Sequence, residues 1–265
     1  MMAYFDRTAR DIASMPRGGP DASWLDRRLQ TNRLEYLDRD DVDDLKRSVV
    51  RSLDRFGRLF GQHKKFARVV LGEVVNIPSP KILELGCGHG GLSRKLLESH
   101  PTAQVTVTDI DPAFVAAVAA SDLGSHPRAT VREMDATAID APDGYYDLVV
   151  FSLSLHHLPP ALAARVFAEG TRAGNTLLII DPARPPAPLH LVMLAATLPF
   201  NKLSPFAHDG FISSQRAYSP SALRAIAYYA DPAITVEFRT RPRGQTVAVA
   251  SRARQTGNRH SDHEP

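Results

Sequence analysis

The chain has 265 residues, which suits one large α/β domain with additions and is too short for two full-sized enzymes. Its 43% hydrophobic residues can form a packed core. The net charge of +3 is mild and its basic and acidic residues are interleaved, so we predict no nucleic-acid partner. A single cysteine, Cys87, excludes an intramolecular disulfide. The absence of an apolar run of membrane-spanning length or a signal peptide predicts a cytoplasmic protein without a membrane span.

Changes in composition along the chain predict four segments. Residues 1–22 are rich in proline and glycine and are expected to form a loose leader. In residues 23–75, apolar side chains recur at steps of three and four, which predicts an N-terminal helical segment. Residues 76–251 carry the main domain. The polar residues 252–265 are expected to be a disordered tail.

The main domain begins with short apolar runs that alternate with helical stretches. The predicted strands are "KILELG", "QVTVTDID", "ATVREMD", "YDLVVFSLS" and "NTLLIIDPA". Strands that alternate with helices imply crossover connections, and hence a mostly parallel sheet covered on both faces. Ligands bind such open sheets at the carboxyl ends of the strands, where each of these runs ends in polar or small residues.

A long insert follows the fifth strand, at about residues 185–218. It is too long for an idle connection, and its apolar centre predicts a cap helix over the site or, alternatively, a homodimer surface. Ser219 and Pro220 then predict the start of another helix. Two closing strands are predicted in "AITVEFRT" and "QTVAVASRA".

The loop after the first strand, "ELGCGHGG", has glycines that can be counted in two ways. Gly86, Gly88 and Gly91 fit the G-x-G-x-x-G of a dinucleotide-binding turn, whereas Gly86, Gly88 and Gly90 fit a tighter G-x-G-x-G. A pyrophosphate requires N–H groups without competing negative charge. Glu84, two residues before the first glycine, disfavours a phosphate and suits a cationic group such as an α-amino group.

Acidic residues end the next two predicted strands as well. Asp109 is placed to accept both ribose hydroxyls of an adenosine, and Asp135 to accept a hydrogen bond from an adenine amino group. Either residue alone could simply cap a helix or face solvent. Three acids at consecutive strand ends are much harder to explain in this way, which favours a ligand-binding role for them.

The segments "LELGCGHG", "VTVTDIDP", "EMDAT" and "YDLVVFSLSLHHLP" together resemble the class I S-adenosylmethionine-dependent methyltransferases, whose signature at the first strand is E/D-x-G-x-G-x-G. The resemblance covers roughly residues 45–251. It implies an α/β, Rossmann-like fold, with a seven-stranded sheet of order 3-2-1-4-5-7-6 flanked by helices. It also implies S-adenosylmethionine, a sulfonium compound, as the cofactor, in line with the tighter G-x-G-x-G count of the glycines.

The resemblance also implies roles for individual residues. Those expected to surround the methionine part of the cofactor are Glu84, Gly86, Gly88 and Gly90. Those expected around the adenosine are Asp109 at the ribose, Ile110 on the adenine, and Asp135 with Ala136 at its edge. Ser152, after the fourth strand, is expected near the sulfonium, and Cys87 is interpreted as a packing residue.

A narrower resemblance concerns the acceptor. The N-terminal "LDRDDVDDLKRSVVRSLDRFGRLFG" and the later "HDGFISSQRAYSPSALRAI" are similar to bacterial small-molecule methyltransferases of natural-product tailoring. This similarity implies a small, apolar or aromatic acceptor, with O- or C-methylation favoured. The helical segment and the insert are expected to close over it.

Methyl transfer needs positioned reactants, and a general base only where the acceptor must lose a proton. The predicted catalytic residues are His156, just past the fourth strand, and the His208–Asp209 pair in the insert. His157 is interpreted as a packing residue at a helix start, and no metal site is expected. Two alternatives stay open: a nicotinamide-dependent oxidoreductase, which would use the other glycine count, and a catalytically inactive accessory protein that binds S-adenosylmethionine.

Overall fold

The computed structural model of the protein describes residues 12–39, 41–200, 204–239 and 244–252. The first part of the predicted leader and nearly all of the predicted tail lie outside these residues. Seven strands form one sheet: β1 Lys81–Leu85, β2 Gln104–Asp109, β3 Ala129–Glu133, β4 Leu148–Ser152, β5 Leu177–Pro182, β6 Ile234–Phe238 and β7 Gln245–Arg252.

The strand order is β3-β2-β1-β4-β5-β7-β6, which confirms the predicted topology. The first five strands pair in parallel, and β7 runs antiparallel to both β5 and β6. β1 lies at the centre, where Leu83 is paired with Thr106 on one side and Val149 on the other. Its carboxyl end therefore lies between those of β2 and β4.

Nine helices are described outside short 3₁₀ turns. They are α1 Trp24–Arg28, α2 Asp43–Leu59, α3 Gln62–Glu73, α4 Gly91–Ser99, α5 Pro112–Ala119, α6 Pro160–Ala173, α7 Ala187–Thr197, α8 Pro205–Arg216 and α9 Pro220–Ala230. The predicted helix start at Ser219 is observed, since its side chain accepts a hydrogen bond from the Ala222 N–H at 3.1 Å. Within the described residues, every helix is too short or too polar to cross a membrane.

The core consists of two apolar layers, one on each face of the sheet. Successive side chains of a strand point to opposite faces, so Ile82 packs with α3, α4 and α5, whereas Leu83 packs with α6 and α9. In β4, Val150 and Val149 divide in the same way. Because both faces are covered, these strands are apolar at nearly every position.

The described part of the predicted leader, residues 12–22, packs on the domain. Ile12 is part of the core, and Arg17 is buried. The Arg17 guanidinium donates hydrogen bonds to the carbonyls of His156 and Leu158, both at 3.0 Å. The expectation of a loose segment therefore fails for these residues. Proline and glycine disfavour regular secondary structure, but they leave such tertiary hydrogen bonds possible.

The insert after β5 forms helices α7 and α8. α8 packs against α2 and against the 3₁₀ turn Tyr36–Asp38, so it supports the N-terminal segment from behind. α7 contacts α1, and several of its apolar side chains, among them Val192 at 63% exposure, face outwards.

Candidate active site

A cavity of about 570 Å³ opens at the carboxyl ends of the central strands. Its floor is formed by the loop after β1 and by the residues that follow β2, β3 and β4. Its other side, here named the N-terminal wall, contains Leu34, Leu37, Val50 and Leu53. The cavity thus lies between the predicted cofactor motif and an apolar surface contributed by the N-terminal segment.

The glycine loop adopts the tighter of the two patterns. Gly86, Gly88 and Gly90 have φ angles of 63°, 52° and 72°, in the left-handed region. Gly91 instead begins α4 with an ordinary helical conformation. Gly90 is the residue at which glycine is needed most, because a Cβ there would lie 2.4 Å from Leu123 Cδ1 in addition to the unfavourable φ.

Asp109, at the end of β2, is bound to the glycine loop. Its Oδ2 accepts a hydrogen bond from the Gly88 N–H at 2.9 Å, and its Oδ1 accepts one from the Asp111 N–H at 3.0 Å. Burial disfavours the ionised carboxylate and raises its pKa in spite of these hydrogen bonds. The carboxylate lines the cavity and links two neighbouring strand ends.

Glu84 is the innermost acid of the cavity. Its side chain accepts a hydrogen bond from Ser93 Oγ of α4, and the residue is only 2% exposed. Burial raises the pKa of Glu84 to about 7. Within the described part of the chain no salt bridge pairs with this carboxylate, so a cation that enters the cavity can meet it.

Most of the other predicted cofactor residues also line the cavity, namely Gly86, Gly88, Ile110, Asp135, Ala136 and Ser152. Ile110 is 62% exposed, which leaves an apolar side chain free for a flat ring to pack on. Gly90 is the exception, since its neighbours His89 and Gly91 form the lining instead. Cys87 is buried in the core beside α4, and burial raises the pKa of its thiol, as suits a packing residue.

A salt bridge ties the N-terminal segment to the sheet side of the cavity. Lys46 Nζ of α2 lies 2.9 Å from Asp111 Oδ2. The same aspartate caps α5, because its Oδ1 accepts a hydrogen bond from the Ala113 N–H at 2.9 Å. Both residues line the cavity.

Of the two consecutive histidines after β4, only His157 lines the cavity. His156 is 3% exposed and lies behind the wall, with Nδ1 at 2.9 Å from Asp181 Oδ1. Burial opposes its protonation, but the carboxylates of Asp181 and Glu35 outweigh that effect and raise the pKa of His156 to about 9. The 3₁₀ turn Leu155–His157 directs the two side chains differently.

His157 faces a carboxylate from the N-terminal segment. Its Nδ1 lies 2.7 Å from Asp38 Oδ1, and Asp38 also lines the cavity. The Arg216 guanidinium donates a hydrogen bond to the other carboxylate oxygen of Asp38. Burial would raise the pKa of Asp38, but His157 and Arg216 together hold it well below its usual range.

The predicted His208–Asp209 pair exists, with Nδ1 and Oδ1 2.9 Å apart. Neither residue lines the cavity. Asp209 accepts hydrogen bonds from the backbone N–H groups of Tyr36 and Leu37, at 3.0 and 3.4 Å, and the His208 ring lies 4.4 Å from that of Tyr36. The pair therefore holds the turn from which Leu37 and Asp38 reach the cavity.

The catalytic roles predicted for His156, His208 and Asp209 stay predictions, and none of these three residues lines the cavity. Of the predicted cap, the N-terminal part lines the cavity with side chains from residues 34–66, whereas no described residue of the insert does. Sequence reasoning missed Glu35, Asp38 and Leu153. Glu35 and Asp38 form a capping box, which a search for reciprocal acidic caps could have found. Leu153 lines the cavity with a φ of 55°, for which the sequence offers no signal.

Comparison with known families decides which cofactor this site serves. A family model described as a methyltransferase domain matches residues 82–174, the stretch that contains the glycine loop, Asp109, Asp135 and Ser152. The chain therefore carries a methyltransferase domain, similar to those of class I S-adenosylmethionine-dependent methyltransferases. S-adenosylmethionine is therefore the cofactor, and the carboxylates of Glu84 and Asp109 on the cavity wall suit its amino group and ribose.

Relatives with known names support the family assignment. A trans-aconitate 2-methyltransferase from Streptomyces avermitilis is 30% identical over 173 residues, which cover 61% of this chain. The chain spans 63% of the length of that relative.

Solved structures share the fold. A candidate O-methyltransferase from Nostoc punctiforme superimposes with a TM-score of 0.57 at 15% identity, over 93% of this chain and 68% of the other. The plantazolicin methyltransferase BpumL, solved with a substrate analogue and S-adenosylhomocysteine, gives 0.57 at 14% identity, over 80% of this chain and 91% of the other.

Proposed function

We propose that this protein transfers a methyl group from S-adenosylmethionine to an oxygen or carbon atom of a small apolar or aromatic acceptor. The observation that carries the proposal is that one cavity has Glu84 and Asp109 on one side and the apolar N-terminal wall on the other. Methyl transfer is an in-line displacement, so a donor and an acceptor must occupy one continuous space. Its volume of about 570 Å³ suits small molecules rather than polymers.

The donor would lie over the glycine loop. Glu84 would bind its α-amino group, with Gly86, Gly88 and Gly90 around the methionine part. Asp109 would hold the ribose hydroxyls and Ile110 would pack on the adenine, whose edge Asp135 and Ala136 would frame. Ser152 would then lie near the sulfonium.

The acceptor would lie against the N-terminal wall. The leucine and valine side chains there favour an apolar ring or chain. Two titratable side chains on the same side, Asp38 and His157, can take part in removing a proton from a hydroxyl group or a carbon acid. This combination supports O- or C-methylation over methylation of an already nucleophilic amine.

Two measurements test the proposal. Calorimetry should give saturable binding of S-adenosylhomocysteine and none of NAD; the reverse result would favour the nicotinamide-dependent oxidoreductase. Mixtures of phenols, β-dicarbonyl compounds, amines and carboxylic acids should then be incubated with methyl-labelled donor and read by mass. Carboxylic acids belong in the panel because the Streptomyces relative is named for trans-aconitate.

The expected result is a labelled product from phenols or carbon acids, and Asp109→Ala serves as the low-activity control. A product found only among the amines contradicts the acceptor part of the proposal. Tight binding of S-adenosylhomocysteine without turnover of any class would favour the inactive accessory protein.

A further inference from the structure

A cluster of buried polar side chains lies directly behind the cavity wall, where the N-terminal segment meets the turn after β4. Glu35, His156 and His157 each offer one ligand atom, and these atoms all lie within 4.8 Å of one another. Glu35 is 2% and His156 is 3% exposed, so two of the three are sequestered from solvent. His157 belongs to the cavity lining and connects the cluster to the cavity.

The separations within the cluster are too long for hydrogen bonds. His156 Nε2 lies 3.5 Å from Glu35 Oε1, and His157 Nε2 lies 4.0 Å from Glu35 Oε2. Two ligand atoms on a tetrahedral Zn²⁺, each at about 2.0–2.1 Å from the ion, are about 3.3 Å apart. The His156–Glu35 separation of 3.5 Å is close to that geometry, whereas the His157–Glu35 separation of 4.0 Å is longer, so the His157 side chain would have to move towards the ion.

The Glu35 carboxylate accepts a hydrogen bond from the Asp38 backbone N–H in the capping box, but one of its oxygens, Oε1, is left without a donor among the described residues. Among the described residues, the ion-pair neighbours of Glu35 are the two histidines, and no lysine or arginine pairs with it. The nearby Arg216 donates to Asp38 and to backbone carbonyls instead. A buried carboxylate oxygen left in this way is costly unless a cation completes it.

The other nitrogen of each histidine faces a carboxylate. His156 Nδ1 is hydrogen-bonded to Asp181 Oδ1 at 2.9 Å, and His157 Nδ1 lies 2.7 Å from Asp38 Oδ1. Histidines that bind metals generally donate their second ring N–H to a carboxylate or a carbonyl, which fixes the tautomer and turns the free nitrogen towards the ion. Both Nε2 atoms here are left on the Glu35 side.

From these observations we propose that Glu35, His156 and His157 bind one divalent transition-metal ion, such as Zn²⁺. Two imidazoles and one carboxylate suit Zn²⁺ or another first-row ion, whereas Mg²⁺ and Ca²⁺ prefer oxygen ligands. Three protein ligands leave a fourth position of a tetrahedral ion for water or a ligand from the cavity. No metal site is expected from the sequence, because Glu35 lies more than a hundred residues before the histidines and the three residues form no local ligand motif.

The bound ion would also join two parts of the fold. Glu35 precedes the turn Tyr36–Asp38 of the N-terminal segment, and the histidines belong to the turn after β4. Metal binding should therefore stabilise the folded protein in proportion to its affinity.

The experiment uses the full-length protein without an affinity tag, stripped with a chelator and then titrated with Zn²⁺ by calorimetry. We expect one ion per chain, and His157→Ala and Glu35→Gln should each weaken its binding at least tenfold. Asp181→Asn should weaken it about 10- to 100-fold. The matched control is His100→Ala, at the end of α4, which should leave the affinity unchanged. Saturating Zn²⁺ at about 100 times Kd should raise the Tm of the unaltered chain by about 5 °C.

Co²⁺ provides a second readout, because its visible absorption reports coordination and should change in His157→Ala. No binding of Zn²⁺ or Co²⁺ would overturn the proposal and leave a buried network of ion pairs. Equal binding by His157→Ala and the unaltered chain would also overturn it, and would indicate adventitious binding by surface histidines. Should Glu35→Gln fail to fold, the partly exposed His157 still decides the question. Neither donor nor acceptor is needed, so this result is independent of the proposed methyl transfer.

Discussion

The backbone N–H of Gly88 donates a hydrogen bond to Asp109 Oδ2 over 2.9 Å, so the glycine loop and the end of β2 form one unit at the cavity. Asp109→Ala removes this bond and the acceptor expected for two ribose hydroxyls. The loss of hydrogen bonds to a charged group costs about 1.5–3 kcal/mol, so the Kd for S-adenosylhomocysteine should rise at least tenfold. Asp140→Ala, whose side chain is 96% exposed, is the calorimetric control. An unchanged Kd in folded Asp109→Ala would remove Asp109 from the cofactor site.

Three glycine-to-alanine variants should differ in stability for separate reasons. Gly90→Ala combines a left-handed φ with a Cβ 2.4 Å from buried Leu123, so it should be the most destabilising. At Gly88 the φ is 52° but no atom lies within 4 Å, which leaves only the backbone cost of about 1–2 kcal/mol. Gly210, within α8, has space and an ordinary φ, so alanine there should stabilise by up to about 1 kcal/mol.

Urea unfolding of the three variants checks this order. A Gly90→Ala protein as stable as Gly88→Ala would mean that Leu123 moves aside at little cost.

The affinity for S-adenosylhomocysteine should depend on pH through Glu84. Burial raises the pKa of Glu84 to about 7, and a bound α-amino cation favours the ionised carboxylate. Below that pKa, binding must release the proton of the Glu84 carboxyl group. The Kd should therefore fall as the pH rises from about 5.5 to about 7.5, by up to tenfold per pH unit. In Glu84→Gln, calorimetry should give a weaker Kd that hardly changes over this range. A parallel pH profile for both proteins would assign the dependence to another group.

Without ligand, the same carboxyl group affects stability with the opposite trend. The pKa of Glu84 in the folded protein lies above its ordinary value of 4.5. The contribution of Glu84 to the free energy of unfolding is therefore complete below about pH 4.5 and is lost as the pH rises through about 7. The loss amounts to about 3 kcal/mol at most. The Tm difference between the unaltered chain and Glu84→Gln, measured at about pH 5 and pH 8, should therefore shift in favour of the variant at the higher pH.

Asp209 should stabilise the turn beside the cavity rather than act on the acceptor. Asp209→Ala leaves the partly buried N–H groups of Tyr36 and Leu37 without their acceptor, which should lower the free energy of unfolding by about 1–2 kcal/mol. Hydrogen exchange at these two amides should accelerate, while the Kd for S-adenosylhomocysteine stays within about twofold. Unchanged exchange in the variant would show that the turn is held by other contacts.

Much of the cofactor site could be predicted because its parts are local or follow from topology. The loop from Glu84 to Gly91 is continuous in sequence, and its three left-handed glycines lie between a strand and a helix. Right-handed crossovers bring the ends of parallel strands to one edge, so Asp109 and Asp135 had to approach that loop. The strand order itself came from the family resemblance, and the observed sheet agrees with it.

The sequence by itself thus determined the α/β domain, the glycine loop and the acids at the strand ends, because each depends on local periodicity or on which edge a strand end occupies. Only the tertiary structure decided that His157 rather than its neighbour His156 lines the cavity. In a three-residue turn, side-chain direction depends on distant partners, here Glu35 and Asp38 on one side and Asp181 on the other. No periodic pattern records such contacts, since Asp181 lies 25 positions from His156 and the other two carboxylates lie more than a hundred positions from the histidines.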